Sequence, residues 1–220
     1  MSIIRAVVFD FDGVLADSEP LHLAAAQEAL ADIGVALSAD EYYEHYVGFD
    51  DEGMFRRMGE LREWPLTDEQ IAALIRQKSE VFDQVIARTD VLYPGARECV
   101  ERLAESYPLG IASGALKHEI ELILERAGVR RFIRFIVASG DTPHSKPSPD
   151  PYLRAAALHG LPPAECVAIE DSRWGIEAAK AAGMTCVAIT NTYDARQLAA
   201  ADRVIRSIQE FTPAFIAGLR

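Results

Sequence analysis

Ile3-Ile4-Arg5-Ala6-Val7-Val8-Phe9-Asp10-Phe11-Asp12-Gly13 decides how the rest of the chain is read. Its first seven residues are apolar except for Arg5, and several are β-branched. A run of that kind suits a strand buried on both faces, as in a parallel sheet, where crossover helices cover each side. The run then breaks abruptly on acid, aromatic, acid, glycine. Similar short runs recur at Leu109–Ala112, Ile133–Ala138, Val167–Ile169 and Thr185–Ile189. Between them, Ala96–Ser106, Leu116–Ala127, Pro151–His159 and Ser172–Ala182 carry apolar residues at 3–4 spacing, the helical period. Strand–helix alternation predicts a doubly wound α/β fold with a parallel sheet.

One stretch interrupts that alternation. From about Asp17 to Thr89 only amphipathic helical patterns occur. They cover Leu21–Ile33, Ala39–Val47, Asp50–Leu61 and Thr67–Ala87, with Gly34 and Gly48 as stops and Thr67 with Gln70 as a capping box. The expected organisation is therefore an α/β core of residues 1–16 and 89–220, with an all-helical cap domain at 17–88 placed as a lid over the strand ends.

Composition narrows the function. The 220 residues hold 22 Lys plus Arg against 34 Asp plus Glu, a net charge of −12. Neutralising nucleic-acid phosphates needs clustered cations, so no nucleic-acid partner is expected, and no anionic membrane surface. The helical stretch 17–88 holds 16 of the acids and 6 of the bases, a net −10, which leaves −2 for the rest. No apolar run approaches the roughly 18 residues of a membrane span. The N-terminus meets Asp10 too soon for a signal peptide. Cys99, Cys166 and Cys186 are odd in number, far apart and set among apolar residues, which favours buried thiols in a reducing cytoplasm over a disulfide or zinc framework. A cytoplasmic monomer is expected.

In open α/β sheets reactive groups gather beyond the carboxyl ends of the strands. Reading those ends in turn yields Asp10-Phe11-Asp12-Gly13, then Ser113-Gly114, then, across a loop, Lys146-Pro147, then Glu170-Asp171-Ser172. Asp10, Asp12, Glu170 and Asp171 would crowd one pocket, where like charges repel unless a cation binds or protons are shared. A hard divalent cation with oxygen ligands answers this, and Mg²⁺ is the usual one beside phosphate. Ser113, the amides around Gly114, and Lys146 supply the opposite polarity and suit a phosphoryl group. The Asp-x-Asp spacing lets both side chains face one substrate. One acid can attack phosphorus while the other serves as general acid and base. Each piece alone has an ordinary explanation: a turn, a helix cap, a loop lysine. Their joint occurrence, in order and each at a strand end, is what carries the reading.

These segments resemble the four motifs of the haloacid-dehalogenase-like (HAD) hydrolases. Asp10-Phe11-Asp12-Gly13-Val14-Leu15-Ala16-Asp17-Ser18-Glu19 is similar to the first, and Ile111-Ala112-Ser113-Gly114 to the second. Ser145-Lys146-Pro147 with Pro149-Asp150 is similar to the third, and Ile169-Glu170-Asp171-Ser172 with Gly175-Ile176 to the fourth. The resemblance implies a Rossmann-like core, with Asp10 as nucleophile and Asp12 as general acid/base. It implies Mg²⁺ held by Asp10, the Asp12 carbonyl and Asp171 with help from Glu170, and phosphate held by Ser113, Gly114 and Lys146. The helical insert resembles the cap of the phosphoglycolate-phosphatase and β-phosphoglucomutase-like branch. An acid at position 12 favours phosphoester chemistry over dehalogenation, because halide leaves without a proton.

The expected activity is Mg²⁺-dependent hydrolysis of a small phosphorylated metabolite, a sugar phosphate or similar monoester, through an aspartyl-phosphate. The alternative is a β-phosphoglucomutase-like phosphohexomutase. His22 and Lys78 resemble cap residues that approach substrate in those mutases. However, the mutases carry an arginine just after the position of Gly48 to hold a second phosphate, whereas this chain reads Phe49-Asp50-Asp51-Glu52. Two readings from other classes are weaker. A phospho-acceptor receiver runs roughly half this length and lacks such an insert. A catalytically silent scaffold has no reason to keep every core position. Trp174 and Trp64 are expected to pack structurally, and Tyr42, Tyr43 and Tyr46 to lie in a core or at its rim.

Overall fold

The structure is a computed structural model that describes residues 3–46, 49, 51–86 and 91–219. Chain contacts divide it into two compact units, Met1–Asp17 with Asp90–Arg220, and Ser18–Thr89.

The first unit is built on six strands: β1 (Ala6–Phe9), β2 (Leu109–Ala112), β3 (Ile133–Val137), β4 (Cys166–Glu170), β5 (Thr185–Ile189) and β6 (Arg203–Ile205). All pairs are parallel, in the order β3-β2-β1-β4-β5-β6. This is the doubly wound sheet expected from the apolar runs. The chain first builds outward from β1 through β2 to β3, then crosses to β4 on the other side. The strand order therefore reverses between β1 and β4, where a crevice opens at the carboxyl ends. Phe9 lies opposite Ile111 on one side and Ile169 on the other, so Asp10, Ser113 and Glu170-Asp171 emerge along one edge.

Burial explains the strand composition. Every residue of β1, β2 and β4 is buried. Gly110 in β2 is required because a methyl there would overlap the Phe135 ring. Two differences from expectation concern strands. The β1 run starts at Ala6, and Ile3 is 80% exposed, because ladder partners on β2 and β4 begin only at Leu109 and Cys166. β6 has no counterpart among the expected strands. Two of its three residues are exposed, and it exists as an edge strand recruited by β5.

Among the described residues the second unit holds four helices: α1 (Glu19–Ala31), α2 (Ala39–His45), α3 (Asp51–Leu61) and α4 (Asp68–Ile86). α1 packs on α4 around Leu23, Ala26, Leu30, Phe55, Met58 and Ile71. The expected Thr67–Gln70 capping box is present: Thr67 N–H donates to Gln70 Oε1 (2.9 Å), and Gln70 N–H to Thr67 Oγ1 (3.2 Å). The expected stop at Gly48, the start at Asp50 and the end at Ala87 lie outside the described residues. Trp64 packs against this helical core, Tyr42 and Tyr46 lie within it, and Tyr43 is exposed.

The remaining helices belong to the first unit: α5 (Ala96–Ala104), α6 (Lys117–Arg126), α7 (Asp150–His159), α8 (Arg173–Ala181) and α9 (Pro213–Ala217). Ser172 caps α8, accepting from Gly175 N–H at 3.0 Å. Trp174, expected to pack, is 48% exposed, with the Arg173 guanidinium 4.3 Å from its ring centroid. No helix among the described residues is long and apolar enough to cross a membrane. Cys99, Cys166 and Cys186 are free and buried.

Candidate active site

Asp10 follows β1, with its N–H bonded to the Ile169 carbonyl of β4 at 2.9 Å. That bond carries the ladder one residue past the strand and holds the side chain at the crevice. Two donors reach its Oδ1: its neighbour's Phe11 N–H at 2.8 Å and Lys146 Nζ at 2.9 Å. Oδ2 takes neither. Glu170, the last residue of β4, is fully buried, and Asp171 beside it is 6% exposed. Asp10, Glu170 and Asp171 each offer one carboxylate oxygen, and these oxygens lie within 4.8 Å of one another. Asp12, expected to contribute its carbonyl to a cation, is half-buried and lies outside this carboxylate group; its backbone bridges to Ala16.

The cluster is held by named partners. Lys146 arrives on the loop after β3 and also donates to Glu170 Oε1 at 2.6 Å. Tyr152 on α7 donates its hydroxyl to the same oxygen at 2.6 Å, and its ring lies 5.1 Å beneath the Lys146 ammonium. Glu170 Oε2 accepts from the Ser172 hydroxyl (3.2 Å) and from the N–H groups of Asp171 (3.2 Å) and Ser172 (3.4 Å). Gly175 makes this packing feasible, since any side chain there would overlap the Glu170 carboxylate. Gly13 has φ +75°, in the left-handed region glycine favours, and a methyl there would overlap the Asp171 carboxylate. Ser113 is buried beyond β2, its N–H bonded to the Val137 carbonyl and its Oγ accepting from Ala115 N–H at 3.1 Å. A side chain added at Gly114 would meet open space.

The electrostatics are lopsided. Burial and the charge of Glu170 raise Asp10 well above the ordinary carboxylate range, despite Lys146. Burial and Glu170 likewise raise Asp171, to about 7, against the lowering effect of Thr192 and Lys146. Lys146 loses by burial, but Asp10 and Glu170 more than restore its charge. One ammonium thus faces three buried carboxylates, which leaves negative charge uncompensated. An all-oxygen donor set with surplus negative charge fits a hard divalent cation.

Three contributors escaped the sequence reading: Tyr152, Asn191 and Thr192. Asn191 Nδ2 donates to the Gly13 carbonyl at 2.8 Å, and the Thr192 hydroxyl donates to Asp171 Oδ2. The last two follow β5, so the strand-end rule, carried one strand further, points to them. Tyr152 left a fainter signal, a lone hydroxyl on the buried face of α7.

Within the helical unit, His22 of α1 and Lys78 of α4 come together. Lys78 is 3% exposed, and its Nζ pairs with Asp51 and lies 3.3 Å from His22 Nδ1. The His22 ring stacks on Phe82, one turn beyond Lys78, at 4.2 Å and 16°. Burial, then the Lys78 charge, push His22 down to about 3, so it stays neutral in the folded protein. In the unfolded chain it takes up a proton below about pH 6.5, so this pair of states removes stability as pH falls from there. At pH 5 the loss is ~2 kcal/mol. The expected result is that His22→Gln loses that much less stability than the wild type between pH 7.5 and pH 5. Urea midpoints of both proteins at the two pH values check it. Equal losses would contradict a half-buried, neutral His22.

A family model described as haloacid dehalogenase-like hydrolase matches residues 7–189. The chain is 34% identical over 194 residues to hexitol phosphatase B of Escherichia coli (strain K12), covering 84% of this chain and 83% of that protein. It is 31% identical over 193 residues to the chloroplastic protein Suppressor of quenching 1 of Arabidopsis thaliana, spanning 86% of this chain but only 18% of that protein. The crystal structure of CbbY from Rhodobacter sphaeroides in complex with phosphate superposes with a TM-score of 0.86 at 29% identity, covering 97% of this chain and 99% of that one. A mutant of the same protein in complex with xylulose-(1,5)bisphosphate gives 0.84 at 30% identity, covering 94% and 96%.

Proposed function

The chain belongs to the haloacid dehalogenase-like hydrolase family, and from that premise we propose that it is a Mg²⁺-dependent phosphatase of small phosphorylated metabolites. The observation that carries this is the buried group of Asp10, Glu170 and Asp171 with Lys146 set between Asp10 and Glu170. The names of hexitol phosphatase B and the phosphate bound in CbbY agree with it.

In this reading Asp10 is the nucleophile. Phe11 N–H and Lys146 fix Oδ1, so Oδ2 attacks phosphorus. An Asp10–phosphorus bond forms as the ester bond breaks, and Asp12 gives the leaving oxygen its proton. Asp12 then takes a proton from water, whose oxygen attacks phosphorus and releases phosphate and free Asp10. Lys146, Ser113 and Gly114 hold the phosphoryl oxygens. Asp10, Asp171 and the Asp12 carbonyl would hold Mg²⁺, which when bound would neutralise charge on the phosphoryl group. Glu170, with both oxygens engaged by protein donors, chiefly positions Lys146.

We assign selection of the leaving group to the helical unit. Its buried lysine, Lys78, is matched by Asp51, and its histidine, His22, is neutral, so the cluster offers little net positive charge. A monophosphate with a neutral, hydroxylated leaving group suits that cluster better than a bisphosphate. The same pairing disfavours the mutase reading, which needs a grip on a second phosphate. The buried free thiols fit a cytoplasmic setting, and we take the working form to be a monomer.

A phosphate-release screen over metabolite phosphates, with Mg²⁺ or with EDTA, tests this. Release from sugar or sugar-alcohol monophosphates is expected with Mg²⁺ and absent with EDTA. No release from any compound would remove the phosphatase reading. A strong preference for bisphosphates such as the one bound by the CbbY mutant would overturn the charge argument alone.

A further inference from the structure

We propose that Asn191 and Thr192, in the loop after β5, are positioning residues that clamp Gly13 and the Asp171 carboxylate together and so set the metal affinity of the site. This rests on the reading of Asp171 as a metal ligand.

Three hydrogen bonds and one close packing meet at this loop. Thr190 N–H bonds to the Ile205 carbonyl of β6 at 3.1 Å, which ties the base of the loop to the sheet. The next residue sends Asn191 Nδ2 to the Gly13 carbonyl at 2.8 Å. The one after sends the Thr192 hydroxyl to Asp171 Oδ2. At the meeting point Gly13 has no side chain; a methyl there would overlap the Asp171 carboxylate and come within 2.9 Å of Thr192 Oγ1. Two successive side chains from one loop therefore hold two segments from different strands, β1 and β4. The Thr192 hydroxyl fixes one Asp171 oxygen by donation, so a cation would take the other, Oδ1. A carboxylate that must be oriented to bind a metal gains from such a donor, and loss of an outer partner of this kind typically costs 10–100-fold in metal affinity or activity.

Thr192 is exposed, so its replacement leaves the apolar core untouched. The test uses the full chain as wild type, Thr192→Val, which removes the hydroxyl at nearly constant shape, and Thr192→Ser, which restores it. Each protein is titrated with MgCl₂ while its melting temperature is followed. Calorimetric titration with Mg²⁺ gives an independent affinity, and phosphate release is measured across the same Mg²⁺ range. Thr192→Val is expected to need at least about 10-fold more Mg²⁺ for the half-maximal thermal shift. Thr192→Ser is expected to follow the wild type, and each Mg²⁺ shift is read from that protein's own melt in EDTA, because Thr192→Val also withdraws a donor from the buried Asp171 carboxylate. If the wild type responds to Mg²⁺ and Thr192→Val titrates at the same concentrations, the clamp is overturned while the phosphatase reading stands. If the wild type shows neither a Mg²⁺-dependent shift nor phosphate release, the ligand assignment of Asp171 falls and takes the clamp with it.

Discussion

Replacing Asp10 by asparagine (Asp10→Asn) is expected to lower phosphate release by at least about 10³-fold, since removing a covalent nucleophile costs on that order or more. The fold should survive. Burial and the Glu170 charge already raise Asp10 well above the usual carboxylate range, so its ionised form is a liability in the metal-free protein. The neutral amide replaces a carboxyl whose charged form burial opposes, while Lys146 keeps Glu170 as a partner at 2.6 Å. Asp10→Asn should therefore melt at or above the wild-type temperature in EDTA and gain less from Mg²⁺. Phosphate release, thermal melts and mass spectrometry to exclude deamidation make the check. Wild-type release from an Asp10→Asn protein whose amide is intact would sink the nucleophile assignment. A collapse of stability would instead mean that the Asp10–Lys146 pair holds the fold.

Lys146→Met is expected to damage both properties at once. The methionine keeps most of the apolar stem but withdraws the ammonium from between Asp10 and Glu170. Breaking a buried pair leaves an uncompensated charge and costs about 3–5 kcal/mol. Here the carboxylates left behind also repel one another. Turnover should fall by about 10²–10³-fold, the range for loss of one preorganised group facing developing charge. The pH dependence follows from Asp171, raised to about 7 in the fold against an ordinary value of 3.8. A carboxylate raised by folding binds protons more tightly in the native state, so its contribution favours folding at low pH and disappears as pH rises through about 7. The stability gap between Lys146→Met and wild type should thus be widest near pH 8 and narrow towards pH 5. Urea unfolding at several pH values measures it. A gap that stays constant, or widens on acidification, would show that the carboxylates do not set the cost.

The two predictions differ because Asp10 and Lys146 carry opposite charge in the same buried place. Neutralising the surplus sign relieves the site, while neutralising the minority sign exposes it. A cation bound by Asp10 and Asp171 would mask part of both effects, so the EDTA condition is the one that separates them.

Much of this protein is legible in its chain. Runs of β-branched residues mark strands because a strand covered on both faces has no polar side to show. β2 and β5 therefore fall where the apolar runs lie, at Leu109–Ala112 and Thr185–Ile189. The order of strand ends delivers Asp10, Ser113, Lys146 and Glu170-Asp171 to one reading, because a parallel sheet places every carboxyl end on the same edge. Local bonding is legible too: Thr67 with Gln70, and Ser172 as the cap of α8, depend on residues three positions apart.

What the chain order conceals is anything decided by a partner distant in sequence. β6 has almost no pattern of its own and is a strand only because β5 offers it a ladder. Trp174 is expected to pack, yet stands exposed in the first turn of α8, with Arg173 as its ring's neighbour. Asp51 reads as one acid in an acidic stretch until the helical unit sets it against Lys78. Tyr152, Asn191 and Thr192 reach Glu170, Gly13 and Asp171 across 18, 178 and 21 positions. Residue types and their spacing were enough to determine which groups stand at the strand ends and what chemistry they suit. Only the tertiary structure decided which oxygen of each carboxylate is held, by which donor and at what cost in charge, because hydrogen bonds and burial depend on distance in space.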